Sequence, residues 1–444
     1  MRRLHEALAT VPPGGKIMPS ATKETAASQS PAAEPVTEKE RIFTLDVVRG
    51  FALLGILLMN IQDFSMPGAA YMNPTAYGDL HGVNYSVWLL SHVLADEKFI
   101  TIFSLLFGAG ILLMTSRIEA SGRLSAGLHY RRMGWLILFG MLHAYLLWSG
   151  DILFSYGVSG LLVFLFRKCR PRTLLIVGAV SLTITPALMS FFGWSVHYWS
   201  AETLQSLREG LWMPSPASIA HELADFRGTW LTQMGERVND SLLMETLYFF
   251  VWTFWRVFGL MLIGMALLKM GVLSGKPPAR LYRAMLAVAV AVGVPLILYG
   301  THRDFAMGWD FRTSFFFDME YNYWASILVA FGWIGLLVVA AQMQALAAVT
   351  QRLAAVGRMA FTNYILHSLI CTTIFYGHGF GLFGKIERAG QLAIVITIWT
   401  LQLVISPIWL RYYMFGPLEW LWRSLTYWHR EPFRRRQSAQ ANAA

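Results

Sequence analysis

Apolar runs of about 20 residues, each long enough to cross a hydrocarbon core of ~30 Å as a helix, recur along this chain and limit what it can fold into. Ten emerge, at 45–62, 99–116, 133–149, 152–166, 174–195, 241–268, 281–300, 322–347, 359–381 and 389–411. They are continuously apolar rather than alternating, which calls for helices and not a barrel. Hydrophobic residues make up 55% of the 444 and charged residues only 14%, against roughly 25% charged in soluble proteins. So little charge cannot cover a water-facing surface, which excludes a soluble globular enzyme, a disordered protein and a secreted disulfide scaffold. The expected fold is all-α: a polytopic integral membrane helix bundle of about ten transmembrane helices.

Lys and Arg set the orientation. Breaks after the even-numbered runs are basic (Arg117, Arg123, Arg131 and Arg132; Arg167, Lys168, Arg170 and Arg172; Lys269, Lys276, Arg280 and Arg283; Arg352 and Arg358), and those after the odd-numbered runs are poor in Lys and Arg. The break after the ninth run is the weak case, with Lys385 and Arg388 against Glu387. Both termini are therefore expected in the cytoplasm. The net charge of +10 follows from topology and needs no nucleic acid.

Four segments result. Residues 1–43, rich in Ala, Pro, Ser and Thr, form a disordered cytoplasmic tail without the apolar stretch of a signal peptide. Residues 44–232 form an N-terminal membrane half with an outer loop, 233–413 a C-terminal membrane half, and 414–444 an interfacial helix with a basic cytoplasmic tail. In the outer loop Trp199, Leu204, Leu207 and Leu211 are spaced as in amphipathic helices and suit a lid. Cys169 and Cys371 are expected at different depths, too far apart for a disulfide, which needs Cα atoms within about 7 Å. No zinc spacing exists, so no metal is expected.

An ionisable group at the centre of a membrane helix costs about 2.5–3.5 kcal/mol on the insertion scale, so such groups are the first candidates for chemistry. They fall into two layers. The outer layer contains Asn60, Lys98, Asp151 in the turn between the third and fourth runs, and His143 near mid-membrane. Asp63, Asn73, His81, His92, Asp96 and Glu245 are candidate neighbours. A histidine with a carboxylate and a cation can act as general base and anion stabiliser. Snorkelling, hairpin capping or an interhelical hydrogen bond would explain the same residues without catalysis. The inner layer contains Arg49, Arg358, Asn363 and Tyr364. These arginines could reach lipid headgroups or grip the phosphates of a cytoplasmic donor. Arg256 lies in the sixth run, too far along one helix from Glu245 for contact, so its partner has to come from another helix. Most recurrent glycines fit close helix packing. No phosphate loop, nucleophile elbow or His-Glu zinc motif supports an ATP-driven pump or a soluble-type hydrolase.

Seven collinear stretches resemble the YeiB-like family, a bacterial inner-membrane family whose C-terminal half is catalogued as domain of unknown function 418. They are TLDVVRGFALLGILLMNI (44–61), AAYMNPTAYG (69–78), KFITIFSLLFGAG (98–110), HAYLLWSGDILFSYGVSG (143–160), GLMLIGMALLKMGVLSG (259–275), GRMAFTNYILHSLICTTIFYGHG (357–379) and WLRYYMFGPLEWLWRSLT (409–426). The resemblance implies a multi-pass protein of the bacterial inner membrane. The first run is also similar to a wider superfamily of transmembrane acyltransferases that includes heparan-glucosaminide acetyltransferase. There an Arg-Gly is followed eleven residues later by Asn or His, places filled here by Arg49 and Asn60. That superfamily takes an acyl group from cytoplasmic coenzyme A and delivers it across the membrane. Its further histidine is replaced by Tyr71, with His81 the nearest substitute, whereas His143 and Asp151 belong to the YeiB-like motif.

Two functions are expected to compete. One is an acyltransferase with acyl-CoA as donor substrate and no tightly bound cofactor. Arg49 and Arg358, assisted by Asn363, would hold the donor, His143 would be the base, and Asn60 or Lys98 would stabilise the oxyanion. The other is a transporter or permease for a small or amphipathic solute, using the same buried charges. A purely structural subunit of an envelope complex is a third reading. The expected partners are the lipid bilayer, a small-molecule, lipid or saccharide acceptor and further copies of the chain, with no nucleic acid.

Overall fold

The computed structural model describes residues 42–435, so the expected tail at 1–43 lies outside the described residues apart from its last two. The helices are α1 (Phe43–Ser65), α2 (Ala69–Met72), α3 (Gly82–Leu94), α4 (Lys98–Ala120), α5 (Ala126–Leu146), α6 (Leu153–Val163), α7 (Pro171–Ser195), α8 (Ala201–Leu211), α9 (Pro216–Phe226) and α10 (Met234–Leu243). They continue with α11 (Phe254–Lys269), α12 (Ala279–Val288), α13 (Val294–Ala306), α14 (Phe311–Thr313), α15 (Met319–Gln342), α16 (Ala347–Arg358), α17 (Ala360–Phe375), α18 (Arg388–Tyr412) and α19 (Pro417–Tyr427). No strand occurs among the described residues. The fold is all-α.

Seven helical stretches are long and apolar enough to cross a membrane: Phe43–Ser65, Gly82–Ala120, Pro171–Tyr198, Met234–Lys269, Ala279–Ala306, Phe311–Gln342 and Arg388–Tyr412. The remaining apolar runs correspond to α5, which carries Arg131, Arg132 and two histidines, and to the shorter Leu153–Phe166 and Ala360–Phe375. Two boundaries differ from the hydropathy pattern. Helix α5 begins seven residues before its run, at Ala126, and ends at Leu146, which puts His143 in its last turn. Helix α17 stops at Phe375 because the glycines behind it fold back: Gly377 N–H donates to the Phe226 carbonyl (2.8 Å) and Gly384 N–H to that of Ser65 (2.7 Å).

Helix α1 is the hub, packing on α4, α15, α16, α17 and α18, while α11 packs on α4, α6 and α7. Leu53 and Leu57 of α1, Leu105 of α4, Ile334 of α15, Val356 of α16 and Cys371 of α17 share one buried cluster. The two membrane halves thus interleave. Small residues permit the closest crossings. A Cβ on Gly264 would lie 1.9 Å from the Leu105 carbonyl oxygen and one on Gly108 2.0 Å from that of Met261, so α4 and α11 touch backbone to backbone.

The loop at 196–240 folds into α8, α9 and most of α10. Trp199, Leu204 and Leu207 turn their apolar sides to a cluster around Trp212 and Trp309. Asn73 ties it to the segment after α1 by donating to the Trp212 carbonyl at 3.1 Å.

Candidate functional site

The site is built at the corner between α5 and α6. Gly140 makes the corner possible: a Cβ there would meet Phe154 N at 2.3 Å and Asp151 Oδ2 at 2.8 Å. The two helices can therefore close until the turn residue Asp151 reaches back to His143. Asp151 Oδ1 stands 2.8 Å from His143 Nδ1, and Asp151 Oδ2 accepts the Phe154 amide at 2.8 Å. One carboxylate thus satisfies an orphan amide at the start of α6 and orients an imidazole. The other face of that imidazole meets α17, where Ser368 Oγ lies 2.7 Å from His143 Nε2. His143 is 2% exposed and Ser368 fully buried.

The tautomer follows once Asp151 is a carboxylate. An ionised Asp151 only accepts, so Nδ1 carries the proton and Nε2 presents its lone pair to the serine hydroxyl, which donates. The arrangement is a carboxylate–imidazole–hydroxyl relay assembled from three separate segments. Tyr364, one turn before Ser368 on α17, lays its ring 5.2 Å from the imidazole, and Trp148 closes another side at 6.1 Å. Trp148 is fixed in turn by its indole N–H donating to Asp63 Oδ2 at 2.6 Å and by Phe64 at 4.1 Å.

Helix α19 sets the position of α17. Glu419 Oε1 accepts the amides of Phe361 (2.6 Å) and Thr362 (3.0 Å), and Oε2 accepts the Thr362 hydroxyl (2.6 Å). This side chain caps the N-terminus of the helix that carries Ser368. Glu419 is half-buried, and desolvation raises its pKa although these hydrogen bonds oppose the shift.

Arginines gather at the α19 end of the bundle. Gly50 and Gly357 sit where α1 and α16 touch, which sets Arg49 and Arg358 on two helices in backbone contact. Arg49 is paired with Asp46 at 2.8 Å. Arg132 lies with its guanidinium 4.4 Å from the Trp422 ring and within electrostatic range of Arg49, and Arg423 lies 4.4 Å from the Phe415 ring.

A second buried polar network lies between α4, α11 and α15. Lys98 donates to the His92 carbonyl (2.7 Å) and Asn322 Oδ1 (2.6 Å), and Asn322 donates to Asp96 (2.8 Å). Arg256 finds its partner on another element, Glu97 at 3.4 Å, and also bonds Thr101, Ser326 and the Tyr323 carbonyl. Glu245 accepts from Tyr145 Oη at 3.1 Å instead.

The candidates from the sequence therefore sort into groups. His143, Asp151 and Tyr364 come together, although Tyr364 was grouped with the donor arginines. Lys98 joins Arg256, its ammonium taken up by two oxygens. Asn363 bonds Ser406 (3.1 Å) and the Val356 carbonyl (3.3 Å), tying α17 to α16 and α18. Asn60 is half-buried on α1, one turn before Asp63. Ser368, Arg132 and Glu419 were not among the candidates. A lone Ser, Arg or Glu has no spacing signal, and only the bundle brings each to its partner.

Fold and site together define an all-α membrane protein holding a buried imidazole between a carboxylate and a hydroxyl. The chain belongs to the YeiB-like family. It is 35% identical over 395 residues to "Uncharacterized protein YeiB" of Escherichia coli (strain K12), covering 87% of this chain and 96% of the relative. It is 32% identical over 420 residues to "Uncharacterized protein YxaH" of Bacillus subtilis (strain 168), covering 90% and 97%. It is 28% identical over 400 residues to "Uncharacterized 39.9 kDa protein in amylase 3'region" of Bacillus acidopullulyticus, covering 89% and 96%. The family described as "Protein of unknown function (DUF418)" matches residues 267–429, which include Ser368 and Glu419 but not His143 or Asp151.

Proposed function

We propose that this protein is a multi-pass acyltransferase of the bacterial inner membrane, moving an acyl group from a cytoplasmic acyl-CoA to a small-molecule, lipid or saccharide acceptor at the outer face. The observation that carries this reading is the 2.8 Å contact between His143 Nδ1 and Asp151 Oδ1, with Nε2 turned to a hydroxyl in a water-excluded corner. A neutral imidazole held in that tautomer is a base that can take a hydroxyl or amine proton and return it to a leaving group. Its buried setting strengthens the bond to Asp151 as the imidazolium forms.

The arginine-rich end supplies the donor side of the scheme. Arg49 and Arg358, with Arg132 and Arg423 on neighbouring elements, offer charge-assisted hydrogen bonds to phosphate. Ser368 lies eight residues along α17 from its first residue, Ala360, which is about 12 Å at 1.5 Å per residue. An extended acyl-pantetheine arm has that distance to bridge. Lys98 and Arg256 serve in this scheme as a rigid polar frame, and Asn60 remains at the acceptor end.

The test is transfer from octanoyl-CoA or palmitoyl-CoA in membranes containing the protein, followed by mass spectrometry of acylated material. The proposal expects a product that disappears with His143→Ala. Solute uptake into proteoliposomes that needs no acyl donor, with no acylated product, would favour the transporter reading instead.

A further inference from the structure

We propose that Ser368 is a nucleophile, and that the acyl group rides on its Oγ as an oxygen ester between donor and acceptor. The inference rests on the acyl-transfer reading above and extends it from a single direct transfer to two half-reactions.

Serines and threonines in the helices of this bundle commonly satisfy their hydroxyls on the carbonyl four residues back. Ser65 bonds Ile61 at 2.6 Å, Ser104 bonds Ile100 at 2.8 Å, and Thr373 bonds Leu369 at 2.7 Å. Ser368 departs from this habit. Among the described residues its hydroxyl is bonded to His143 Nε2. The hydroxyl is fully buried and faces a base whose far nitrogen is held by a buried carboxylate, which is itself anchored on the Phe154 amide. A nucleophile in reach of a base, with the base oriented by a third group, is the general signature of covalent catalysis by a hydroxyl. A serine that only glued two helices together would not need Asp151 behind the histidine. Its neighbour His367 makes that contrast: its Nε2 meets Gln402 Oε1 at 2.9 Å, a polar bond between α17 and α18 with no carboxylate in it.

The chemistry balances without any further reactant. Ser368 Oγ bonds to the carbonyl carbon of an acyl thioester, and its proton passes to His143 Nε2. The carbon–sulfur bond breaks, and the leaving thiolate takes that proton from His143. In the second half, His143 accepts the proton of the acceptor hydroxyl or amine as that atom bonds to the acyl carbon. The ester bond to Oγ breaks, and Ser368 regains its proton from His143. The Asp151 carboxylate takes no proton in this scheme and stabilises the transient imidazolium.

The first half-reaction needs no acceptor, which makes it measurable. Full-length protein in nanodiscs is mixed with acetyl-, octanoyl- or palmitoyl-CoA, and thiol release and protein mass are followed. Wild type is expected to release about one thiol per chain in a burst. One acyl group should appear on the peptide containing Ser368 and survive neutral hydroxylamine, as an oxygen ester does and a thioester on nearby Cys371 does not. Ser368→Ala and His143→Ala should lower burst and adduct at least 100-fold. Ser368→Cys should restore an adduct that hydroxylamine removes, which separates chemistry from misfolding. A burst of full size from Ser368→Ala, or an adduct on a different residue, overturns the proposal.

An alkyl fluorophosphonate separates the two layers of argument. Labelling of Ser368 that requires His143, in a protein that releases no thiol from any of the three donors, keeps the reactive serine and sinks the acyl-CoA reading. Thiol release with no fluorophosphonate labelling and no adduct keeps the transferase and sinks the covalent step.

Discussion

A Cβ placed on Gly357 would lie 2.0 Å from the carbonyl oxygen of Asp46, so α16 and α1 are in backbone contact, with Arg358 and Arg49 beside the crossing. No side chain larger than hydrogen fits without moving a helix. Gly357→Leu is therefore expected to destabilise the bundle by about 1–3 kcal/mol or more through overpacking. Gly110→Ala, where the added Cβ meets nothing within 4 Å, is expected to be neutral or slightly stabilising. Thermal unfolding in detergent compares the two, and equal midpoints would remove the crossing from the account.

Asp151→Asn keeps shape and removes charge. The amide can still face Phe154 N–H with its oxygen, but it then offers His143 Nδ1 a donor and favours the wrong tautomer. Transfer is expected to fall by about 10²–10⁴-fold with little change in unfolding midpoint. An unimpaired variant would mean that the imidazole is oriented by something else.

The Glu97–Arg256 pair is a matter of stability. Arg256→Met leaves Glu97, whose side chain is 17% exposed, without its cation, and removing one partner of a pair buried on the arginine side costs up to about 3–5 kcal/mol. The double variant Glu97→Gln with Arg256→Met should recover much of that loss. Denaturation of the four proteins in mixed micelles gives the coupling, and additive losses would show that the pair, seen at 3.4 Å, does not act as a unit.

Outside the spanning helices, Glu222 on α9 accepts the Gly68 amide at 2.9 Å, and burial together with the carboxylates of Asp63 and Glu236 raises its pKa from 4.5 to about 7. A raised carboxyl favours the folded state when protonated. Its contribution is complete below about 4.5 and is lost as pH rises through about 7. Unfolding midpoints measured from pH 4 to 8 should decline across that window, and Glu222→Gln should flatten the decline. An unchanged slope in the variant would assign the pH response to other groups.

The apolar runs made the helical class legible, because a membrane leaves little choice of backbone. Helix α16 was not legible. Gln351, Arg352 and Arg358 give it the look of a loop, and only its contact with α1 reveals Leu353 and Val356 as buried. Of the site, His143 and Asp151 could be read from their place beside a tight turn. Ser368 could not, since a serine among Leu, Ile and Thr looks like any packed helix residue. Glu419 was equally silent, as its role depends on α19 folding back onto the start of α17. The contact of Tyr364 with the imidazole was silent for a related reason. Sequence distance placed Tyr364 with Arg358, while the helix turn carries its ring to the imidazole.

The central claim is that His143 works as a base on an acyl group supplied from the arginine-rich side. The most direct measurement uses inside-out membrane vesicles, given radiolabelled octanoyl-CoA from the cytoplasmic face, with wild type compared to His143→Gln. The account predicts label in acceptor material on the opposite face for wild type and at least ~100-fold less for the variant. Equal labelling by the two proteins would contradict it.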